Sequence, residues 1–315
     1  MTKFLIRRTL LLLLTLVATS AIIFALTQLL PGDVARLILG RTASDTSIEQ
    51  FNERFGLDDP APIQYMNWLG RFVVGDWGVS YSGANAPVRG LVLGRLSNSL
   101  ALAGFTLLIS LPLSILLGVM AALRENTWID GTVSVLSLGV VGLPEFVTGI
   151  LLINIFVLRL EWFDAIAIID DDMTVGRWLR ILTLPAITAS FVLVGYISRM
   201  TRAGMIDELK KSYVRTAQLK GLSQRQVIFK HVLRNGLLPT ITVIAISIGW
   251  LIGGIVVIEN VFRYPGIGSL LVDAVNQKNI PVLQAVTMVI VFAFAFSNLL
   301  ADVFYALLNP RIRME

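Results

Sequence analysis

The chain has 315 residues, 55% hydrophobic and 15% charged, with a net charge of +5 and a mean hydropathy of +0.76. Soluble domains carry about 25% charged residues, so an ordinary soluble protein is excluded and a multi-span membrane protein is the class indicated. Cysteine is absent and His231 is the single histidine, which excludes disulfides and any metal centre built from Cys and His, though not an all-carboxylate one.

Six apolar segments, near 9–30, 98–123, 132–158, 181–200, 237–261 and 282–308, are long enough to cross a hydrocarbon layer about 30 Å thick. Lys3, Arg7 and Arg8 precede the first, and Ala18-Thr19-Ser20-Ala21 loosely suits cleavage. Its apolar run over 10–30 is longer than the core of a signal peptide, roughly 7–15 residues, and is read as an uncleaved span. The fourth is the least sharply bounded, because Pro185 and flanking arginines blur its ends. A proline at 144 inside the third predicts a kink that frees a carbonyl. No polar stretch is long enough for a second, soluble domain, so residues 1–315 are expected to form one membrane domain.

Lys and Arg distribution sets the orientation. With the N-terminus in the cytoplasm, the loops on that side (1–8, 124–131, 199–236, 309–315) hold 15 basic residues, and the longer opposite loops hold 11. Both termini and segment 201–236 are then cytoplasmic. The outer loop 31–97 carries Ile48, Phe51 and Phe55 at helical spacing, then Met66, Leu69 and Val73 with Trp68 and Phe72 beside them. Gly56, Asp59-Pro60 and Gly75-Asp76 punctuate it. Two readings stand: short amphipathic helices on the outer membrane surface, or a docking cap for an extracytoplasmic partner in which Trp68, Phe72 and Trp77 make contact.

Segment 201–236 is the most informative. Eight Lys/Arg lie between Arg202 and Asn235, against Asp207 and Glu208. Ser212 is expected to cap a helix over 213–220, ended by a left-handed Gly221. Ser223 with Gln226 forms a capping box, with Leu222 and Val227 as its hydrophobic staple, and Asn235-Gly236 ends that second helix. Val214, Ala217, Leu219, Val227, Ile228, Phe229, Val232 and Leu233 are too apolar for a merely solvated loop, so they are expected to pack on something.

This segment resembles the signature loop of binding-protein-dependent ABC importer permeases, in the branch that carries oligopeptides, dipeptides, nickel and glutathione. The residues that carry the resemblance are Tyr213-Val214-Arg215-Thr216-Ala217, Lys220-Gly221-Leu222, His231, Arg234-Asn235 and Pro239. The likeness extends to Pro31-Gly32-Asp33, Gly56-Leu57-Asp58, Gln64-Tyr65, Trp68-Leu69, Gly75-Asp76-Trp77-Gly78, Gly118 with Ala121-Ala122, and Trp128-Ile129-Asp130. It continues at Glu259, Phe262, Pro265-Gly266-Ile267-Gly268, Asp302, Tyr305-Ala306 and Pro310-Arg311-Ile312-Arg313. Two departures are visible. Arg215-Thr216-Ala217 stands where the wider superfamily has Glu-Ala-Ala, and Asn309 stands where the branch has Asp.

The resemblance implies an all-α, six-helix type I importer permease without its own ATPase. The sequence agrees, having no Gly-x-x-x-x-Gly-Lys-Ser/Thr phosphate loop. It further implies a second homologous permease subunit, two cytoplasmic ATPases that bind ATP and Mg, and an extracytoplasmic solute-binding protein. The chain itself would bind no cofactor and reside in a bacterial or archaeal cytoplasmic membrane. Residues Tyr213, Val214, Arg215, Thr216, Ala217, Lys220, Gly221 and Leu222 would couple to the ATPase. Intramembrane polar groups, Glu145, Asn154, Ser247, Asn298 and Asp302, are the pore candidates, since such groups are costly against lipid. Asn298 and Asp302, one turn apart, equally suit hydrogen bonding between helices. Peptide is the expected solute, with nickel, glutathione or oligosaccharide as alternatives. An ion-gradient-driven transporter or channel, or a non-transporting scaffold, would share the span count but not these motifs.

Overall fold

The computed structural model describes residues 2–28, 35–36, 43–56, 58–81, 86–164, 167, 169 and 173–308. Within them the chain is helical, with a single antiparallel bridge, Val79 to Pro87. The helices are α1 Thr2–Gln28, α2 Asp45–Phe55, α3 Ala61–Val73, α4 Val88–Leu123, α5 Trp128–Gly142 and α6 Glu145–Arg159. They continue as α7 Val175–Leu209, α8 Ser212–Leu219, α9 Gln224–Gly236, α10 Leu238–Val261, α11 Ile267–Asn276 and α12 Ile280–Leu308.

Among the described residues four helices are long and apolar enough to span a membrane, or six if the bent pairs α5–α6 and α9–α10 each count as one. Several helices outrun the segments expected from hydropathy. α4 begins at Val88 and α7 runs for 35 residues, about 52 Å at 1.5 Å per residue. Hydropathy reports only the part of a helix that meets hydrocarbon, and the polar ends Val175–Arg180 and Arg199–Leu209 lie beyond it. The third segment differs more. Instead of one kinked helix, α5 and α6 meet at 101°. Leu143 before Pro144 is extended, φ −89° and ψ 129°, as a residue preceding proline prefers. The matches at Pro31-Gly32-Asp33, Leu57 and Pro310-Arg311-Ile312-Arg313 and the departure at Asn309 lie outside the described residues, as do the side chains of Phe55, Tyr305 and Ala306.

The chain divides into two compact units. One holds Leu100–Tyr264 with the chain from Ser297 onward. Its centre is α7, 61% of whose apolar window is buried, against 17% for α1. This explains the weak hydropathy signal of the fourth segment: a helix shielded by protein needs less apolar surface than one facing lipid. Three glycines allow the close approach. A Cβ on Gly118 would stand 2.5 Å from Thr201 Cβ, one on Gly195 2.8 Å from Ser137 O, and one on Gly204 2.3 Å from Gly236 O. Small residues let helix backbones meet, which is how helices associate where lipid supplies no hydrophobic drive. Ser137 Oγ and Ser198 Oγ, 3.0 Å apart, add a hydrogen bond between α5 and α7.

The other unit holds Thr2–Ser99 and Pro265–Phe296. Its core is Val88, Val92, Ile267, Ala274, Val282, Ala285, Val286 and Val289. Ser44 caps α2 and Gly56, φ 63°, ends it in the left-handed conformation. Asn98 donates to Pro265 O at 2.8 Å, and Ser99 Oγ accepts from Ile267 N at 2.7 Å, so these two fasten the Pro265-Gly266-Ile267-Gly268 turn. Asn279 donates to Ser80 Oγ at 2.7 Å and its amide oxygen accepts from Tyr81 N at 3.2 Å, tying the end of the outer segment to the start of α12.

Candidate functional site

The basic segment folds as α8, a tight turn and α9. Lys211, extended at φ −73° and ψ 147°, is the N-cap of α8, so Ser212 falls one position inside the helix and makes no cap. The C-terminal turn follows the sequence reading. Gly221 has φ +81°, its N–H reaches Gln218 O at 2.9 Å, and Leu222 N–H reaches Ala217 O at 3.3 Å. These two bonds define a Schellman turn, the glycine-dependent way to end a helix. Ser223 then opens α9 with a reciprocal capping box to Gln226, at 3.1 and 3.4 Å. α9 continues as a π-helical stretch, Val227–Val232. Such stretches are rare and often mark functional sites.

The apolar residues of this segment separate into two sets. Val214, Ala217, Val227, Ile228 and Val232 are buried with Ala122, Met205 and Ile206 in a miniature core, where α8 and α9 close on the end of α7. Leu219, Leu222 and Phe229 are exposed, Leu219 by 81%, beside exposed Arg215, Thr216, Lys220 and Gly221. Arg225 lies over the Phe229 ring at 5.9 Å. Of the coupling residues expected from sequence, Val214 and Ala217 therefore hold the segment together from inside. Arg215, Thr216, Lys220, Gly221 and Leu222 form its accessible face.

The base of the segment is Glu208, 5% exposed at the end of α7. Its carboxylate accepts from Tyr213 Oη at 2.7 Å and from Lys211 Nζ. Burial alone would push this carboxyl up, but the hydrogen bonds from Lys211 and Tyr213 outweigh it and hold it below the usual glutamate range. Burial and the bond to Glu208 raise the Tyr213 hydroxyl. One carboxylate thus ties the start of α8 to the end of α7, and the nearby Asn235 side chain of α9 also favours its charged form. Two further ion pairs brace the surroundings: Arg202 with buried Asp130, Nη2 to Oδ2 2.7 Å, and Lys210 with Glu125, 2.9 Å. Sequence reasoning counted Glu208 and Arg202 only as charges. The signal that could have found them is Tyr213 itself, a phenol on a polar segment that needs an acceptor once buried.

The other expected residues are placed as follows. Glu145 is the first residue of α6, half-buried; Asn154 is exposed further along the same helix; Ser247 is buried in α10; Asn298 and Asp302 are half-buried one turn apart on α12. Trp68, Phe72 and Trp77 face inward. Trp68 contacts Phe24 of α1 at 6.1 Å, Phe72 stacks on Trp77 at 5.1 Å, and Trp77 Nε1 donates to Phe72 O at 3.2 Å. The outward face of α3 is Ile63, Met66 and Val73, continued by Val74.

These features define a multi-pass α-helical membrane protein that presents a rigid, basic, two-helix segment outside its apolar layer. The chain belongs to the family described as binding-protein-dependent transport system inner membrane component, whose model matches residues 114–314; the model of the corresponding N-terminal region matches residues 1–114. It is a permease subunit of an ABC importer, a transport component that works with an ATPase and a solute-binding protein.

Among similar proteins is the oligopeptide transport system permease protein AppB of Bacillus subtilis (strain 168), 36% identical over 314 residues and 99% of both chains. Another is the glutathione transport system permease protein GsiC of Escherichia coli (strain K12), 34% identical over 315 residues and 100% of both chains. A probable peptide ABC transporter permease protein, y4tP, of Sinorhizobium fredii (strain NBRC 101917 / NGR234) is 36% identical over 92% of this chain and 93% of its own. A solved structure titled "Crystal structure of an amino acid ABC transporter with histidines" superimposes with a TM-score of 0.50 at 14% identity, over 69% of this chain and 93% of that one. That likeness supports the type I permease fold.

Proposed function

We propose that this chain conducts di- and oligopeptides across the cytoplasmic membrane of a bacterium or archaeon. Its partners would be a second homologous permease, two cytoplasmic ATPases carrying ATP and Mg, and an extracytoplasmic peptide-binding protein; the chain itself would hold no cofactor. The observation that carries the solute class is end-to-end similarity to AppB, the oligopeptide permease protein of Bacillus subtilis. GsiC, equally full-length, favours glutathione, itself a tripeptide, as the second reading.

Energy coupling follows from the segment's construction. The exposed face of α8 and its Schellman turn meets the ATPase, and the miniature core keeps α8 and α9 from bending independently. Glu208 fastens α8 to α7, the most buried of the candidate spans, and the miniature core packs α9 on the same helix. Displacement of α8 when the ATPases close is therefore passed to the helix on which this unit is built. This reading puts segment 201–236 and both termini in the cytoplasm, in accord with the bias of Lys and Arg. Glu145, Asn154, Ser247, Asn298 and Asp302 remain the pore-lining proposals. Contact with the binding protein falls to the outward face of α3 (Ile63, Met66, Val73), with Trp68 holding that helix against Phe24 of α1 and Phe72 and Trp77 packing on the core of α4, α11 and α12.

Uptake by cells expressing the importer with this chain, compared with cells lacking it, tests the solute. Labelled tri- to pentapeptides are expected to accumulate only when the chain is present, unlabelled peptides competing and nickel or oligosaccharide not. Accumulation of glutathione alone would replace the peptide reading with the glutathione one.

A further inference from the structure

We infer that Asp130 is a positioning residue for energy coupling: its two-fold pairing with Arg202 sets the register of α5 against α7, so that α5 moves with the segment the ATPases drive. This rests on the docking of α8 proposed above and adds a second helix to the path. The turn between α4 and α5 is built around the Asp130 carboxylate. Asn126 is left-handed, φ 62°, and its N–H donates to Asp130 Oδ2 at 3.0 Å, while Thr127 Oγ1 donates to Arg124 O at 2.6 Å. Ser134 Oγ, one helical turn on, donates to Asp130 Oδ1 at 3.4 Å. Asp130 is buried in the first turn of α5, where the helix dipole favours a negative charge. Arg202 reaches it from α7 with two nitrogens, Nε to Oδ1 and Nη2 to Oδ2, the latter at 2.7 Å. A planar guanidinium bonded to both oxygens fixes angle as well as distance.

The contacts further along α5 and α7 do not fix a register on their own. They run antiparallel, Ser137 Oγ with Ser198 Oγ, then Gly195 against Ser137 O and Val141. A glycine and one pair of hydroxyls let two helices approach closely but leave sliding cheap. Displacing a buried, doubly bonded charge pair strands a charge away from water, which is costly. The neighbouring pair of Lys210 with Glu125 is exposed and adds little.

The pair stands where it can pass movement on. From Arg202, α7 continues for about 9 Å, at 1.5 Å per residue, to Glu208, which holds α8. Ala122, at the end of α4 just before the turn, lies in the miniature core with Val214 and Ala217, so the turn is held to the coupling segment from a second side. In the other direction α5 leads to the 101° break before α6, whose first residue is Glu145. Displacement of α8 therefore reaches α6 through α5, and Asp130 is the point at which α5 is gripped.

The test places spin labels on cysteines at Leu136 of α5 and Leu219 of α8, both exposed, and reads the distance between them in the assembled importer before and after ATP with vanadate is added. With Asp130 intact the distance is expected not to change with ATP, because α5 travels with α8. In Asp130→Asn it should become ATP-dependent, and peptide taken up per ATP hydrolysed should fall about tenfold. Arg202→Lys keeps the charge without the fork, should lose about threefold, and carries the test if Asp130→Asn fails to assemble. Lys210→Gln should behave as wild type. An ATP-dependent distance with Asp130 intact overturns the proposal, as does a wild-type distance and uptake in both Asp130→Asn and Arg202→Lys. A shift in the variants that is the same with and without ATP marks a merely structural pairing and overturns it too. All three outcomes leave the docking of α8 standing. Failure of a probe at Leu219 to cross-link to the ATPase would remove that docking, and the proposal with it.

Discussion

Glu208→Ala is expected to abolish most ATP-driven uptake while the protein still inserts at normal levels. Glu208 accepts hydrogen bonds from Lys211 and Tyr213, so its removal leaves the half-buried Tyr213 hydroxyl without its acceptor and frees α8 from α7. Losing charge-assisted bonds of this kind costs about 2–3 kcal/mol, enough to populate detached arrangements of a short two-helix segment. The apolar layer is untouched, so membrane levels should hold. Glu208→Gln retains an acceptor for Tyr213 but not the charge facing Lys211, and should fall between the two. Uptake and ATPase activity are measured on the same preparations, with hydrolysis continuing and transport lost. Wild-type uptake by Glu208→Ala would remove Glu208 from the coupling path.

The sign of the pH effect follows from the lowered pKa. A carboxylate held below its unfolded value contributes stability above the ordinary glutamate range, and that stability is lost as pH falls through the folded pKa. Coupling should therefore be insensitive to cytoplasmic pH near neutrality and fail only on strong acidification.

Gly221→Pro should uncouple about as severely, by a different route. Gly221 has φ +81° and donates its N–H to Gln218 O. Proline fixes φ near −65° and has no N–H, so the Schellman turn cannot form and α8 loses its set angle to α9. Gly221→Ala is the control. Nothing lies within 4 Å of the added Cβ, so the cost is only the left-handed strain, about 1–2 kcal/mol, and partial uptake should remain. Ala217→Asp would also abolish uptake, but by placing a carboxylate inside the segment's own core rather than at a partner. Leu219→Asp with Leu222→Asp tests the accessible face itself. Wild-type uptake by Gly221→Pro would contradict a rigid coupling segment.

What was legible in the sequence depended on whether the determining interaction is local. The Schellman turn at Gly221 and the capping box at Ser223 lie within a few residues, and both form as the residue types require. Ser212 was misplaced by one position because extended Lys211 occupies the cap without a side-chain bond, which sequence preference cannot register. Helical spacing found α2 and α3 but could not tell which aromatic face of α3 meets α1. Trp68 and Phe72 turned inward, leaving Ile63, Met66 and Val73 outside. The break at Pro144 was visible as a proline, but its 101° bend was not, because a kinked and a broken helix share the same local signal. Glu208 and Arg202 were legible only as charges, and Asp130 only as part of a family motif, since their pairing is set by how α5, α7 and α8 pack.

Site-specific cross-linking tests the central claim, that segment 201–236 docks on the ATPase and does so in the cytoplasm. The chain has no native cysteine, so single cysteines at Leu219, Leu222 and Val214 can each carry a short photoreactive maleimide in the assembled importer. Probes at Leu219 and Leu222 are expected to cross-link to the ATPase, with the yield changing when ATP is added, and a probe at buried Val214 should give no ATPase product. ATPase cross-linking absent from both Leu219 and Leu222, or labelling of Leu222 by an impermeant reagent from outside intact cells, would contradict the account.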